Sequence, residues 1–259
     1  MNKLQSLVIP SIPQPDWDKL SQIPISECKE ALQPASLSQG SLLVYPAYFK
    51  MGIPSAPAEC HLRLGVYNRI LHAASQLPSE YRLVILDGWR PFSVQQHLYD
   101  TLINLMEHTY PDVSSEELAS EARNLVSPPS TLTSAPSPHL TGGSIDLTLA
   151  DESGRLLDMG TLFDEASPLS YTASLENIET LSHQQKTARD NRRILYNVMI
   201  NAGFTNLPSE WWHFDFGNQL WAWYSGNQQA IYGATHPGSL ECLWQEQLLK
   251  SSRLRPSSP

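Results

Sequence analysis

The chain has 259 residues, with 17 basic and 26 acidic side chains and a formal net charge of −9 at neutral pH. That balance argues against a nucleic-acid binder, whose phosphate affinity needs clustered Lys and Arg. The length suits one large domain or two small ones, able to bury a core without disulfide staples. Only 17% of residues are charged and 20 are proline, against a charged average of about 25%, so long ordered loops on a compact scaffold are expected. Cys28, Cys60 and Cys242 have neither CxxC nor metal-site spacing and read as ordinary reduced thiols. The apolar run Leu7–Ile9 is stopped by Pro10, too soon for a signal-peptide core. No stretch approaches the ~20 apolar residues of a membrane span. A cytoplasmic protein without nucleic-acid or membrane partners is the expectation.

Residues 1–40, with Pro10, Pro13, Pro15, Pro24 and Pro34, read as an extended arm packed on a domain spanning 41–245, and residues 246–259 as a frayed tail. Within the domain, Leu62, Val66, Ile70, Ala73 and Leu77 recur at helical spacing and mark one buried face. Tyr81–Asp87 reads as a short buried strand. Val94, Leu98, Leu102 and Leu105 make a second helical stripe, and a third helix opens at Ser114, where Glu117 completes a capping box ahead of Leu118 and Ala122. The proline-rich segment 127–138 can only be a loop. After it, Ile145, Leu147 and Leu149 alternate with Asp146 and Thr148, which predicts a strand with Asp146 on its polar face. A helix is expected over 188–202, stopped by Gly203. The segment 211–216 alternates again, with His213 and Asp215 opposite Trp212, Phe214 and Phe216.

Position sorts the eight histidines. His61, His72, His97, His108, His183 and His236 lack a partner at motif spacing and read as surface or satisfied structural residues. His139 and Asp146 flank a glycine turn that lets the backbone reverse closely, so the two can converge on a cation, or can be a turn histidine and a strand-end aspartate. If His213 completes the set, three protein ligands and an open position make a catalytic zinc site. Glu210 would then be placed to move protons from a zinc-activated water. Positions three apart on a regular strand face opposite ways, so Glu210 must sit at a bend, for which Pro208 and Ser209 are suited. Arg90, between Gly88-Trp89 and Pro91 at a strand end, can stabilise an oxyanion or bridge to a carboxylate and tie the loop down.

The set SxHxxGxxxD in Ser137–Asp146, EWWH in Glu210–His213 and DGWRP in Asp87–Pro91 resembles the zinc D-alanyl-D-alanine dipeptidases. These are the VanX-like branch of the DD-peptidase and hedgehog-type metallopeptidase group, peptidase family M15. Met159–Asp164 and Asn191–Arg193 add to the likeness, which covers roughly residues 40–216, while Tyr45–Gly52 echoes the family's tyrosine-containing segment loosely.

The resemblance implies one zinc per chain held by His139, Asp146 and His213, with Glu210 as general base and Arg90 stabilising the tetrahedral intermediate. It also implies that Asp164 pairs with the free ammonium of the dipeptide while Ser137 contacts the substrate. The expected fold is α+β, a central and mainly antiparallel sheet flanked by helices, and the expected reaction is hydrolysis of D-Ala-D-Ala. The alternatives are a DD- or LD-carboxypeptidase or endopeptidase acting on peptidoglycan peptides, and a non-catalytic zinc module.

Overall fold

Two aliphatic-rich runs, Tyr81–Asp87 and Ser144–Asp151, pair antiparallel at the centre of the sheet, as expected of segments buried on both faces. The structure, a computed structural model, describes residues 3–38, 42–123, 125–238, 244–245 and 247–249. Cys242 and the tail from residue 250 lie outside the described residues. In chain order the arm supplies α1 (Lys3–Ser6), α2 (Trp17–Leu20) and β1 (Leu32–Pro34), followed by β2 (Leu42–Val44), α3 (Ala47–Lys50), β3 (His61–Arg63), α4 (Leu64–Gln76) and β4 (Tyr81–Asp87). Then come α5 (Phe92–Thr109), α6 (Ser115–Ala122), β5 (Ser144–Asp151), α7 (His183–Asn201), β6 (Thr205–Asn206), β7 (His213–Asp215) and α8 (Gln219–Ser225).

The main sheet runs β2-β4-β5-β7-β6, with β2 parallel to β4 and the other neighbours antiparallel, so the chain has the expected α+β architecture. On one face Leu83, Ile85, Ile145, Leu147, Leu149 and Phe214 pack under Val66 and Ile70 of α4 and Ile194 and Val198 of α7, all fully buried. On the other, Val84, Leu86 and Ala150 pack with Ala47 and Phe163, and the polar residues Asp87, Asp146, Thr148 and His213 are buried beside them. Pairing sets Asp87 opposite Asp146 and Asp146 opposite His213. Residues directly opposite share a face, so these three side chains stand abreast. An irregularity in the pairing between Ile85 and Asp87 brings Asp87 into that row.

Three elements depart from the sequence expectation. α7 starts at His183, a turn before Ala188, because Ser182 and Gln185 form a capping box. Asn191–Arg193 therefore lie inside the helix. The strand expected over 211–216 begins only at His213, the two tryptophans sitting in the turn before it. The stripe on α5 is buried at Val94, whereas Leu105 is 61% exposed. Beyond its first turns α5 leaves the sheet and packs mainly on α6. The capping box at Ser114 forms as expected.

The arm is sewn to the domain. Asn197 of α7 donates to the carbonyls of Leu4 and Leu7, and Ile9 joins the core. Arg63, 2% exposed, holds the Glu27 carboxylate at 2.9 Å and the carbonyls of Glu30 and Gly233, while its Nε donates to Thr141 O at 2.8 Å. Among the described residues no helix is long and apolar enough to cross a membrane.

Arg192 anchors the segment after β5. Its guanidinium donates to the carbonyls of Met159, Leu169 and Tyr171 and to Ser174 Oγ at 2.6–3.0 Å, and burial pushes its pKa down to about 10, still charged at neutral pH. Arg192→Leu orphans these acceptors and should cost about 3 kcal/mol, read as a lower urea midpoint. An unchanged midpoint would show that the segment holds without it.

Candidate active site

His139 is delivered by a 3-10 turn, Pro138–Thr141, at the end of the proline-rich loop. Gly142 closes the turn at φ +68, in the left-handed region that favours glycine. A Cβ on Gly143 would lie 2.6 Å from the Phe216 carbonyl oxygen, so the chain can pass directly into β5 only as glycine. β5 then presents Asp146 beside His213 of β7.

The second partners of the two imidazoles fix their tautomers. His139 Nδ1 lies 2.8 Å from the Gly88 carbonyl, which can only accept, so Nδ1 carries the proton and Nε2 a lone pair. His213 Nε2 lies 3.0 Å from Asp215 Oδ2 and donates to it, leaving a lone pair on Nδ1. These two lone pairs are 3.2 Å apart, and Asp146 completes the triangle with Oδ1 3.1 Å from His213 and Oδ2 3.4 Å from His139. Two imidazole nitrogens and a carboxylate facing one another at this spacing are a donor set that a cation can share in place of protons. Ligands of a tetrahedral zinc at 2.0–2.1 Å stand about 3.3 Å from one another; the two imidazole nitrogens stand near that spacing, each has an Asp146 oxygen at a similar distance, and nitrogen and oxygen donors suit that ion. Among the described residues this is the one cluster of metal-ligand type, and the other histidines do not enter it. The field at the site favours positive charge. Burial works against a charged His213, yet the Asp215 and Asp146 carboxylates raise its pKa well above the ordinary range. Burial likewise opposes ionisation of Asp146, but the two histidines hold its pKa far below that of an ordinary carboxylate.

Asp215 is itself fixed by Ser144 Oγ and Asn218 Nδ2, each at 2.6 Å. Sequence reasoning placed Asp215 on the His213 face without giving it a role; the signal was its i+2 position. Asn206 was missed altogether. Its amide donates to the carbonyls of Glu210 and His213 and pins the short loop between β6 and β7. That loop makes the bend that Glu210 requires, and brings Glu210 Oε2 to 3.8 Å from His213 Nδ1. Burial, with help from Asp146 and Asp164, pushes the Glu210 pKa up to about 8 against the pull of His213 and Arg90.

Arg90 makes the carboxylate bridge that was one of the two roles open to it. Nε bonds Asp87 at 2.7 Å and Nη1 bonds Gln95 at 2.9 Å, while Nη2 reaches Asp146 Oδ2 at 3.2 Å and the Tyr48 hydroxyl at 3.3 Å. Its guanidinium also stacks 4.6 Å from the Tyr48 ring centre. Tyr48 is thus the buried tyrosine wall that the segment Tyr45–Gly52 only hinted at. Phe163 lodges between Tyr48 and Trp212, at 5.6 and 5.5 Å between ring centres. Asp164 follows it in the left-handed region at φ +62, a conformation aspartate tolerates better than most residues. Although the residue lies at the mouth and stays solvent-exposed, its carboxyl is crowded by protein, which raises its pKa against the pull of Arg90.

Tyr48, Arg90, His139, Asp146, Asp164, Glu210 and His213 line one cavity of about 20 Å³. Ser137 is not brought to them. Its hydroxyl accepts from the Ser130 amide at 2.8 Å and faces an adjoining cavity beside Gln219, so it serves the loop that carries His139.

Residues 60–232 match the sequence model of peptidase family M15 described as "D-ala-D-ala dipeptidase". The chain belongs to this family of metallopeptidases. A D-alanyl-D-alanine dipeptidase of Synechocystis sp. is 30% identical over 223 residues, 78% of this chain and 87% of that protein. One of Escherichia coli is 40% identical over 77 residues, 30% of this chain and 36% of that protein. Among solved structures, VanYB in complex with D-Ala-D-Ala superposes with a TM-score of 0.38 at 15% identity, over 75% of this chain and 85% of that one.

Asp215 holds the imidazole of a candidate ligand, and loss of such a partner from a metal site typically costs 10–100-fold in metal affinity. Asp215→Ala should therefore weaken zinc binding by about that factor in a chelator competition. Affinity equal to that of the unmodified protein would remove the orienting role.

Proposed function

We propose that this dipeptidase-family protein hydrolyses free D,D-dipeptides, D-Ala-D-Ala first among them, to two D-amino acids, using one zinc ion per chain. The observation that carries this reading is the gathering of three residues that could hold a cation, the Glu210 carboxyl, a guanidinium and the Asp164 carboxyl around one cavity. The names of the relatives found in Synechocystis and E. coli support the substrate.

Held by His139, Asp146 and His213, zinc would polarise the scissile carbonyl and lower the pKa of a water to about 7. Glu210 accepts the proton of the attacking water and returns it to the leaving amine, a role its position next to His213 suits. Arg90 offsets the charge that develops on the carbonyl oxygen. Its other nitrogens are already held by Asp87 and Gln95, so little reorganisation is needed. Asp164 pairs with the free ammonium and so selects an unblocked dipeptide over an acylated chain. Ser137 acts on substrate through the loop it braces. A free dipeptide is of precursor size rather than part of a cross-linked wall, and the compartment that goes with this reading is the cytoplasm.

Glu210→Ala should keep one equivalent of zinc while turnover on D-Ala-D-Ala falls by about 10²–10⁴; near-full activity would refute its role. A chelator should abolish activity and added zinc restore it. The unmodified enzyme should reject N-acetyl-D-Ala-D-Ala, and Asp164→Asn should narrow the gap between blocked and free substrates. Preference for the blocked peptide would turn the reading to a carboxypeptidase.

A further inference from the structure

The cavity at the ligands, about 20 Å³, holds little more than a water, which needs roughly 10–15 Å³ on the same kind of measure. The body of a dipeptide must lie in adjoining space. A second cavity, about 200 Å³, shares Leu98, Leu125, Val126, Asp164 and Glu210 with the first. It continues the site on the side of Asp164 and Glu210, away from Arg90, Tyr48 and His139, which do not line it. Its further walls include Leu102 and Leu105 of α5 and Trp212. The stripe Leu98–Leu102–Leu105, which helical periodicity marks as an inner face and which packs on no core, is the floor of this cavity.

We infer that the apolar cavity beside Asp164 takes the side chain of the N-terminal residue of the substrate, and that the enzyme acts on dipeptides with a large apolar D-residue at that position. This rests on the dipeptidase reading. With the ammonium on Asp164, the first α-carbon is one bond away, so its substituent is the group that reaches Leu98 and Leu102. The side chain of the C-terminal residue lies beyond the scissile bond, farther from Asp164. A cavity of about 150 Å³ lined by aliphatic and aromatic groups accommodates benzene, so this one admits an isobutyl or benzyl group. Each buried methylene favours binding by about 0.8 kcal/mol, roughly a fourfold gain, and the cavity rewards the larger residue.

The test is kcat/KM of the zinc-loaded enzyme on D-Ala-D-Ala, D-Leu-D-Ala and D-Ala-D-Leu. D-Leu-D-Ala should equal or exceed D-Ala-D-Ala, and D-Ala-D-Leu should show no gain. Lower kcat/KM on D-Leu-D-Ala than on D-Ala-D-Ala overturns the inference and leaves the dipeptidase reading intact. An enzyme inert on both overturns that reading and this inference with it. Leu102→Trp, which fills the cavity, should lower the ratio of the D-Leu-D-Ala to the D-Ala-D-Ala rate at least tenfold, and an unchanged ratio counts against the assignment. Calorimetry on the Glu210→Gln protein gives a readout free of turnover: D-Leu-D-Ala should bind more tightly than D-Ala-D-Ala, and weaker binding overturns the proposal.

Discussion

Buried charge has to be balanced where it sits, and that constraint organises this molecule. Asp87, Asp146 and Asp215 are buried on one side of the sheet, with Glu210 and Asp164 nearby, and Arg90 is the guanidinium among them. Isolated carboxylates in such surroundings would be prohibitively costly. Asp87 is matched by Arg90 and Asp215 by Ser144, Asn218 and His213. Asp146 shares Arg90 with Asp87 and otherwise faces the imidazoles of His139 and His213, a place where a proton or a metal cation adds the remaining positive charge. Strand register makes the arrangement possible, because side-by-side pairing across β4, β5 and β7 needs no long or mobile side chain to bring the groups together.

Much of the site was readable from local pattern. Alternation around Asp146 assigned it a face, Pro208 and Ser209 signalled the bend for Glu210, and the glycines after His139 announced a close reversal. Each of these is decided by residues a few positions away. The groups that went unread are those whose meaning comes from distant chain. Asn206 acquires its role from carbonyls across a hairpin, Tyr48 from an arginine on another strand end, and Gln95 from both Arg90 and Ser127.

The two helix misreadings have different causes. The first turn of α7, His183–Lys186, is polar and exposed or half-buried, so periodicity carried no signal there and only the capping pair marked the start. On α5 the periodicity was sound, but period says which side chains align and not what they face. The same apolar stripe can sit on a core or floor a cavity, and that is settled by where the helix leaves the sheet.

Arg63 joins the arm to the His139 turn through a single side chain: its Nη atoms grip Glu27 and its Nε holds the Thr141 carbonyl. The residues around Glu27 thereby become part of the scaffolding of the His139 turn. Cleavage of the chain after Glu27 would take away the carboxylate that balances this buried guanidinium, whose Nε bonds the residue before the glycine that ends the His139 turn. Proteolytic nicking in the first thirty residues, often a silent event at a terminus, would here be felt at the turn that carries His139.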